Sequence, residues 1–262
     1  MVRFGFGLGG KPTMSQRFLL ILMALLFTSG PIISQTSHHE GLSQKVSHHY
    51  AHNKDVKIHY VKAGSGPLVV MVHGFPDYWY SWRHQMNGLK KDFTVVAMDQ
   101  RGYNRSDQPG GVESYAMHNL VSDVIAVIRD TGATQATVVG HDWGGAVAWQ
   151  VAFNAPEVVQ NLVILNLPHP NGMARELANN PEQQRNSAYA RRFIEGSAED
   201  PDIMFGGPMN PQTLASWVQV PAAKVLYEAA FARSSFNGML NFYKANYPRA
   251  DQPSPVATSE PL

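Results

Sequence analysis

Apolar and polar positions along the chain follow two alternating patterns from Val56 onward. Short runs that are apolar at nearly every position, PLVVMVHG, FTVVAMD, ATVVGHD and NLVILNLP, predict buried parallel strands, and VKIHYVKAG alternates like an edge strand. The segments 81–89, 117–131 and 145–153 carry apolar residues at helical spacing. Strands that alternate with helices predict an α/β fold, a mostly parallel sheet with helices on both faces. Sites in such sheets form at the carboxyl ends of the strands.

The pattern changes after Pro170. Residues 171–247 are richer in charged and polar side chains and show helical periodicity, which predicts a helical cap beside an α/β core of residues 54–170. Residues 248–262 are rich in Pro and Ser and are predicted to form a disordered tail. Residues 35–53 are polar and His-rich, and such a cluster could bind metal weakly. No pattern of carboxylates accompanies these histidines, and we predict a polar linker.

The first 34 residues have the order of a secretory signal peptide. Basic residues (Arg3, Lys11 and Arg17) precede the apolar run FLLILMALLF, and the breakers TSGP and a polar stretch follow it. This run is shorter than the roughly 20 apolar residues that span a bilayer. We therefore predict export, periplasmic or secreted, of a mature chain that begins near Gln35. The alternative is a membrane anchor over residues 18–33, and membrane contact is expected only through this segment if it is not cleaved.

Composition excludes several classes of function. The 262 residues are 44% hydrophobic and 16% charged, with a formal net charge of +1, so they suit one sizeable globular core and imply no nucleic-acid partner. The chain has no cysteine. Disulfides, thiolate catalysis and Cys-ligated metals are thereby excluded. Neither a metal nor another cofactor is expected.

The stretch VVGHDWGGAVAWQ reads as a strand, a very tight turn and a helix. Gly140, Gly144 and Gly145 surround His141 and Asp142, as in the G-x-S-x-G turn that lifts a nucleophile above the sheet beside a helix N-terminus. A serine at this position needs a base, whereas a carboxylate is already ionised and can attack a saturated carbon directly. Such an attack requires a leaving group, for which an epoxide oxygen and a halide are the natural choices.

A second motif follows the first buried strand. It consists of His73, Gly74, Phe75 and Pro76, and its His-Gly pair lets a backbone N–H turn toward the nucleophile. The N–H of Phe75 and that of Trp143 are therefore predicted to form an oxyanion hole.

Four motifs in this order and spacing, HGFPDYWYSWRHQM, DQRGYNRSDQP, VVGHDWGG and NLPHP, resemble the α/β-hydrolase superfamily and specifically its epoxide hydrolase branch. The resemblance covers residues 50–247. It implies an α/β-hydrolase fold and an Asp142 nucleophile that opens an epoxide through an alkyl-enzyme ester. Asn104 stands where this family usually has glycine, and because Asn tolerates positive φ, little consequence is expected.

Cap tyrosines protonate or hydrogen-bond the epoxide oxygen in this family. The contexts SAYARRF and NFYKANY are similar to those of the family and imply this role for Tyr189 and Tyr243. The chemistry agrees, because a phenol donates a hydrogen bond without being ionised at neutral pH. Both residues are also compatible with packing on amphipathic helices.

Two alternatives stay open. Haloalkane dehalogenases of the superfamily typically have Asn in place of Phe75, and fluoroacetate dehalogenases have Arg in place of Trp143, so both positions favour an epoxide. A catalytically inactive protein that binds an apolar ligand is the other alternative. Trp79, Tyr80 and Trp82 are expected to line or support an apolar pocket for a small apolar substrate.

The family hydrolyses the ester with a histidine that an acid orients, and no such loop follows the cap. The last histidine of the chain is His169. The sequence is therefore interpreted as a C-terminally truncated member whose C-terminal strands are missing. Its hydrolysis step is expected to be impaired, and its last strand is expected to be a sheet edge.

Overall fold

The computed structural model of the chain describes residues 46–248. The strands within this range are β1 (Ser47–Asn53), β2 (Val56–Ala63), β3 (Leu68–Val72), β4 (Thr94–Met98), β5 (Ala136–His141) and β6 (Val159–Leu165). They form one sheet in the order β1-β2-β4-β3-β5-β6. Strand β3 is parallel to β4 and β5, and β5 is parallel to β6, whereas β2 is antiparallel to both β1 and β4. The predicted α/β fold with a mostly parallel sheet is confirmed.

Helices lie between the strands and after them. Those of the described range are α1 (Arg83–Leu89), α2 (Met117–Asp130), α3 (Trp143–Asn154), α4 (Pro170–Asn179), α5 (Pro181–Asn186), α6 (Ala188–Glu195), α7 (Pro211–Leu214), α8 (Pro221–Phe231) and α9 (Phe236–Asn246). Helix α1 packs against β4, α2 against β1 and β2, and α3 against β3, β5 and β6. Helices α4 to α9 occupy the segment predicted as a cap.

Burial explains why the central strands are continuous apolar runs. All five residues of β3 are buried, as are the first five of β5. Strands of a parallel sheet have both faces covered, so polar alternation is absent from them. This arrangement brings the carboxyl ends of β3, β4 and β5 to one edge of the sheet, where the loops of the site begin.

The linker prediction for residues 35–53 is wrong for its last part, because Ser47–Asn53 is strand β1. This strand pairs with β2 through a tight turn in which Lys54 has a φ of 55°. The side chains explain the pairing: the His48 ring stacks on His59 at 5.1 Å, and the His49 ring stacks on Tyr60 at 5.1 Å. Aromatic pairs across strands stabilise a sheet, so these imidazoles act as ring-stacking residues.

The prediction that VKIHYVKAG is an edge strand is also wrong, because β1 covers its outer side. At the opposite end of the sheet, β6 pairs with β5 alone among the described residues, as predicted for the last strand. Its apolar residues Leu162, Val163, Ile164 and Leu165 are only partly buried.

Three predictions lie outside the described residues: the signal peptide or anchor of residues 1–34, most of the polar linker, and nearly all of the tail of residues 248–262. Within the described range, every helix is too short or too polar to span a bilayer.

Candidate active site

Asp142 lies at the turn between the end of β5 and the start of α3. Its backbone has a φ of 52° and a ψ of −122°, a conformation that non-glycine residues rarely adopt. Such backbone strain costs on the order of 1–3 kcal/mol and is concentrated at functional sites. The residue immediately precedes the N-terminus of α3, where the helix dipole favours a negative charge.

The glycines around Asp142 let α3 approach the sheet closely. A Cβ atom at Gly144 would overlap with the carbonyl oxygen of Val72, and one at Gly140 would overlap with the carbonyl oxygen of Gly144. Gly145 is less restricted, since its Cβ would lie 3.2 Å from the Cβ of Leu167. Main-chain contacts therefore require glycine at residues 140 and 144, which explains this part of the motif.

The predicted oxyanion hole is directed at the carboxylate itself. The backbone N–H of Phe75 donates to Oδ1 of Asp142 over 2.8 Å, and the backbone N–H of Trp143 also hydrogen-bonds to this carboxylate. A Cβ at Gly74 would overlap with the Asp142 side chain, so only glycine permits this approach. Two main-chain donors thus hold the carboxylate.

His73 fixes the loop that carries Phe75. It is fully buried, its Nε2 accepts a hydrogen bond from the Gln100 backbone N–H over 3.0 Å, and its Nδ1 lies 2.8 Å from the carbonyl oxygen of Gly74. These partners require a proton on Nδ1 and none on Nε2. Burial lowers the pKa of His73 to about 4, so the ring is neutral. The peptide bond between Phe75 and Pro76 is cis.

Opposing effects act on the acidity of Asp142. Burial raises its pKa above the ordinary value, whereas hydrogen bonds from the N–H groups of Phe75 and Trp143 and the nearby His141 act to lower it. His141 is the last residue of β5, is partly buried, and pairs with Leu165 of β6. Desolvation is the largest effect, so the ionised carboxylate is less stabilised than one in water.

Tyr243 of α9 lies beside these core residues. It is 3% exposed, its ring lies edge-on at 5.0 Å from Trp143 and 5.5 Å from Phe75, and its hydroxyl oxygen accepts a hydrogen bond from the Trp143 indole N–H. Burial raises the pKa of Tyr243 well above its usual value, and the negative charge of Asp142 adds to this effect. The phenol is therefore protonated, and it lies close enough to Asp142 for the carboxylate charge to raise its pKa.

Tyr189 of α6 faces the same space from further out. Its side chain is 38% exposed, and its ring centroid lies 6.3 Å from that of Tyr243. Burial of the rest of the Tyr189 side chain raises its pKa to about 12, and the nearby Tyr247 and Asp142 add smaller effects in the same direction. The structure thus brings both predicted tyrosines to the Asp142 side of the cap.

A cavity of about 150 Å³ connects these groups, with Asp142, Trp143, Tyr189 and Tyr243 in its wall. Most of the remaining wall is apolar; it includes Met117, Ala146, Leu167, Pro168, Pro170 and Met173. The aromatic residues expected to line or support the pocket are absent from this wall. Trp79, Tyr80 and Trp82 are instead buried in the core, because a 3-10 turn before α1 directs them inward.

Two residues near the site were not predicted. Tyr247 lines the cavity and stacks on Tyr243 at 6.1 Å; it directly follows α9, and its four-residue spacing from Tyr243 could have revealed it. Asp77 accepts hydrogen bonds from the Tyr78 backbone N–H over 2.8 Å and from the Tyr227 hydroxyl of α8. Burial raises the pKa of Asp77 to about 7, and nothing in the sequence alone signals this contact with the cap.

The histidines do not form a metal site in the described part of the chain, where no group of three or more His, Cys, Asp or Glu residues could hold an ion. His169 packs edge-on against Trp149 at 4.9 Å, and its Nδ1 accepts from the Asn171 backbone N–H over 3.2 Å. It therefore starts helix α4.

Comparison with known proteins places the chain in a family. The protein-family model described as the alpha/beta hydrolase fold matches residues 67–248 of this chain. The chain belongs to the α/β hydrolase family. The predicted resemblance to its epoxide hydrolase branch is confirmed by relatives of that name. Epoxide hydrolase 4 of Mus musculus is 40% identical over 147 residues, which are 55% of this chain and 41% of the mouse protein.

Solved structures agree with this position in the α/β hydrolase family. A Bacillus megaterium epoxide hydrolase in complex with an inhibitor is 35% identical, with a TM-score of 0.69 over 75% of this chain and 71% of that one. A mutant of an epoxide hydrolase from the same organism, complexed with its product (R)-3-[1]naphthyloxy-propane-1,2-diol, is 36% identical, with a TM-score of 0.67 over the same shares. The chain spans about two fifths of the length of the mouse and human epoxide hydrolase 4 proteins that it matches.

Proposed function

We propose that this α/β hydrolase opens an epoxide by attack of Asp142 and forms an alkyl-enzyme ester. The observation that carries the proposal is the carboxylate at a strained turn, with Oδ1 held by the Phe75 N–H over 2.8 Å, in the wall of a cavity shared with Tyr189 and Tyr243. The names of the relatives support an epoxide as the substrate.

In the proposed step, the oxygen of Asp142 that Phe75 does not hold forms a bond to one ring carbon of the epoxide. The bond between that carbon and the ring oxygen breaks, and its electron pair goes to the oxygen. The resulting alkoxide takes the phenolic proton of Tyr243 or of Tyr189, and the phenolate recovers a proton from water. The product is a hydroxyalkyl ester of Asp142.

Electrostatics couple the two halves of this step. The negative charge of Asp142 raises the pKa of Tyr243, after the larger effect of burial. Ester formation removes that charge, so the pKa of Tyr243 falls when the alkoxide needs a proton. Tyr243 therefore becomes a stronger acid as the reaction proceeds.

For hydrolysis of the ester, the N–H groups of Phe75 and Trp143 are the donors to the oxyanion that forms on Oδ1. We assign no general base among residues 46–248. The one His-Asp ion pair in this part of the chain joins His59 and Asp99, and both ring nitrogens of His59 are occupied, by Asp99 and by His48. We therefore expect residues 46–248 by themselves to leave the ester unhydrolysed.

The substrate we propose is a small apolar epoxide, because most of the cavity wall is apolar. An aryl glycidyl ether is a reasonable probe, since the Bacillus megaterium enzyme was complexed with an aryloxy propanediol product.

Export through residues 1–34 is also part of the proposal. Intact-mass measurement of the secreted protein tests export, and a membrane-bound species that retains residues 18–27 would contradict it.

The test uses 1-naphthyl glycidyl ether and a matched chloride, 1-(3-chloropropoxy)naphthalene. We expect the mass of the unchanged chain to rise by one epoxide, with no chloride release. Asp142→Asn should give no adduct, because an amide is not a nucleophile here, and the exposed control Asp92→Asn should react like the unchanged chain.

Other results identify the alternatives. Chloride release without an epoxide adduct would assign the chain to the dehalogenases. Binding of the ether without adduct or diol would make it a ligand-binding protein. Sustained diol production that depends on Asp142 would support the alkylation step and contradict the expected persistence of the ester.

A further inference from the structure

The turn after β4 binds the segment of the cap between α8 and α9. Oδ1 of Asn104 accepts two hydrogen bonds from the Arg233 guanidinium, from Nε over 3.0 Å and from a terminal nitrogen over 2.7 Å. The Asn104 backbone N–H donates to Oγ of Ser234 over 2.8 Å, and the carbonyl oxygen of Gly102 accepts from the Ser235 N–H over 2.8 Å.

The other end of the Asn104 amide faces the core. Its Nδ2 donates to Oδ2 of Asp99 over 2.8 Å, and that oxygen also receives the contact from Nδ1 of His59 at 2.6 Å. Asp99 is fully buried, and its Oδ1 accepts from the backbone N–H of Trp79 over 3.0 Å. An amide suits this position because it can donate to a carboxylate on one side and accept from a guanidinium on the other.

This contact lies at the start of the helix that carries Tyr243. The hydroxyl of Ser235 caps α9 by accepting from the Gly238 N–H over 2.9 Å. Tyr243 comes eight residues after Ser235, which corresponds to about 12 Å along the helix. Whatever fixes the first turn of α9 therefore helps to fix the Tyr243 hydroxyl relative to Asp142.

We propose that Asn104 is a positioning residue whose side chain couples the buried carboxylate of Asp99 to Arg233 of the cap and thereby holds α9, with Tyr243, in place over Asp142. The proposal rests on the proposed epoxide-opening function. It departs from the expectation that replacing the usual glycine by Asn has little consequence. The positive φ of 46° at Asn104 satisfies the turn, and glycine would also satisfy it, but the side chain makes contacts that glycine cannot make.

The main variant is Asn104→Gly, which keeps the turn and removes only the side chain. The matched control is Lys54→Gly, since Lys54 also has a positive φ, of 55°, but lies in the exposed β1–β2 turn. Arg233→Met removes the other partner at an exposed position and leaves the core turn unchanged.

The first readout is hydrogen–deuterium exchange, which does not depend on chemistry. We expect Asn104→Gly and Arg233→Met each to accelerate exchange in α9 at least about fivefold, with exchange in β3 and β5 unchanged. The second readout is the rate of adduct formation with 1-naphthyl glycidyl ether. Its maximum rate should fall about tenfold in each variant, with a smaller change in the half-saturating epoxide concentration, and the double variant should be no slower than the single ones.

Unchanged exchange in α9 would overturn the proposal, as would faster exchange without a slower maximum rate. Additive effects in the double variant would also contradict it, because the two residues would then act separately. If the unchanged chain forms no adduct, the proposed epoxide opening fails, whereas exchange in α9 still decides whether Asn104 holds that helix.

Discussion

Main-chain atoms position Asp142 on the core side of the cavity. On the cap side, aromatic side chains position Tyr243. Asp142 is held by backbone N–H groups at a turn that Gly140 and Gly144 make possible. Tyr243 is held by ring contacts such as those with Trp143 at 5.0 Å and Phe193 at 4.9 Å. A single added methyl group should therefore disrupt the core side, while on the cap side conservative changes that keep the rings should leave the packing intact.

The largest expected effect concerns the fold. Gly144→Ala places a Cβ against the carbonyl oxygen of Val72, which cannot move without breaking the sheet. We expect a loss of at least about 3 kcal/mol in the free energy of unfolding, at the upper end of overpacking effects. Gly172→Ala is the control, because a Cβ there meets nothing within 4 Å and helix α4 should gain stability. Equal melting temperatures for the two variants would contradict close backbone packing at Gly144.

The next effect is on chemistry. Gly74→Ala places a Cβ against the Asp142 side chain and should displace the carboxylate from the Phe75 N–H. We expect adduct formation to slow by at least ~10²-fold, as for loss of an oxyanion-hole donor. Gly110→Ala, in open space, is the control. A Gly74→Ala variant that reacts at the normal rate would show that this approach is not needed.

On the cap side, the two tyrosines should differ. Tyr243→Phe is expected to slow adduct formation by ~10²-fold, as for loss of one positioned acid. Tyr189→Phe should cost about tenfold, because Tyr189 is 38% exposed and water competes for its hydrogen bond. Single-turnover rates measure both effects. A larger loss for Tyr189→Phe would reverse the assigned roles.

The smallest effect concerns Asp77, which joins the two sides through the Tyr227 hydroxyl. Burial raises the pKa of Asp77 to about 7 from its ordinary value of 3.8. The folded chain therefore binds this proton more tightly than the unfolded chain does, and the free energy of unfolding falls as pH rises from about 4 to about 7. In Asp77→Asn this decline should be absent, so between about pH 4 and pH 7 the melting temperature of the unchanged chain should fall relative to that of the variant.

Asp92→Asn, at an exposed carboxylate, controls for the change in net charge. Parallel pH profiles for the unchanged chain and Asp77→Asn would contradict a raised pKa at Asp77.

The same contrast explains what could be predicted from the sequence. Gly140, Asp142 and Gly144 were predictable because close backbone packing permits few residue types. Strand β1 was missed because His48 and His49 are polar by composition but pair through ring stacking. Ring packing and hydrogen bonds between distant segments leave little trace in local patterns.

Two contacts with the cap illustrate this limit. Asn104 binds Arg233 across 129 residues of chain, and Asp77 binds Tyr227. Trp79 and Tyr80 were expected to line or support a pocket; they do not line the cavity, because the fold buries them in the core. Residue type predicts burial more reliably than it predicts which space a side chain lines.

The central claim is that backbone donors hold Asp142 as the nucleophile, and peptide mapping after reaction with 1-naphthyl glycidyl ether tests it most directly. The account predicts the mass of one epoxide on the Asp142 side chain in the peptide that contains GHDWGG, and no modification there in Asp142→Asn. Modification at a histidine or lysine instead, or an equal yield from Asp142→Asn, would contradict it.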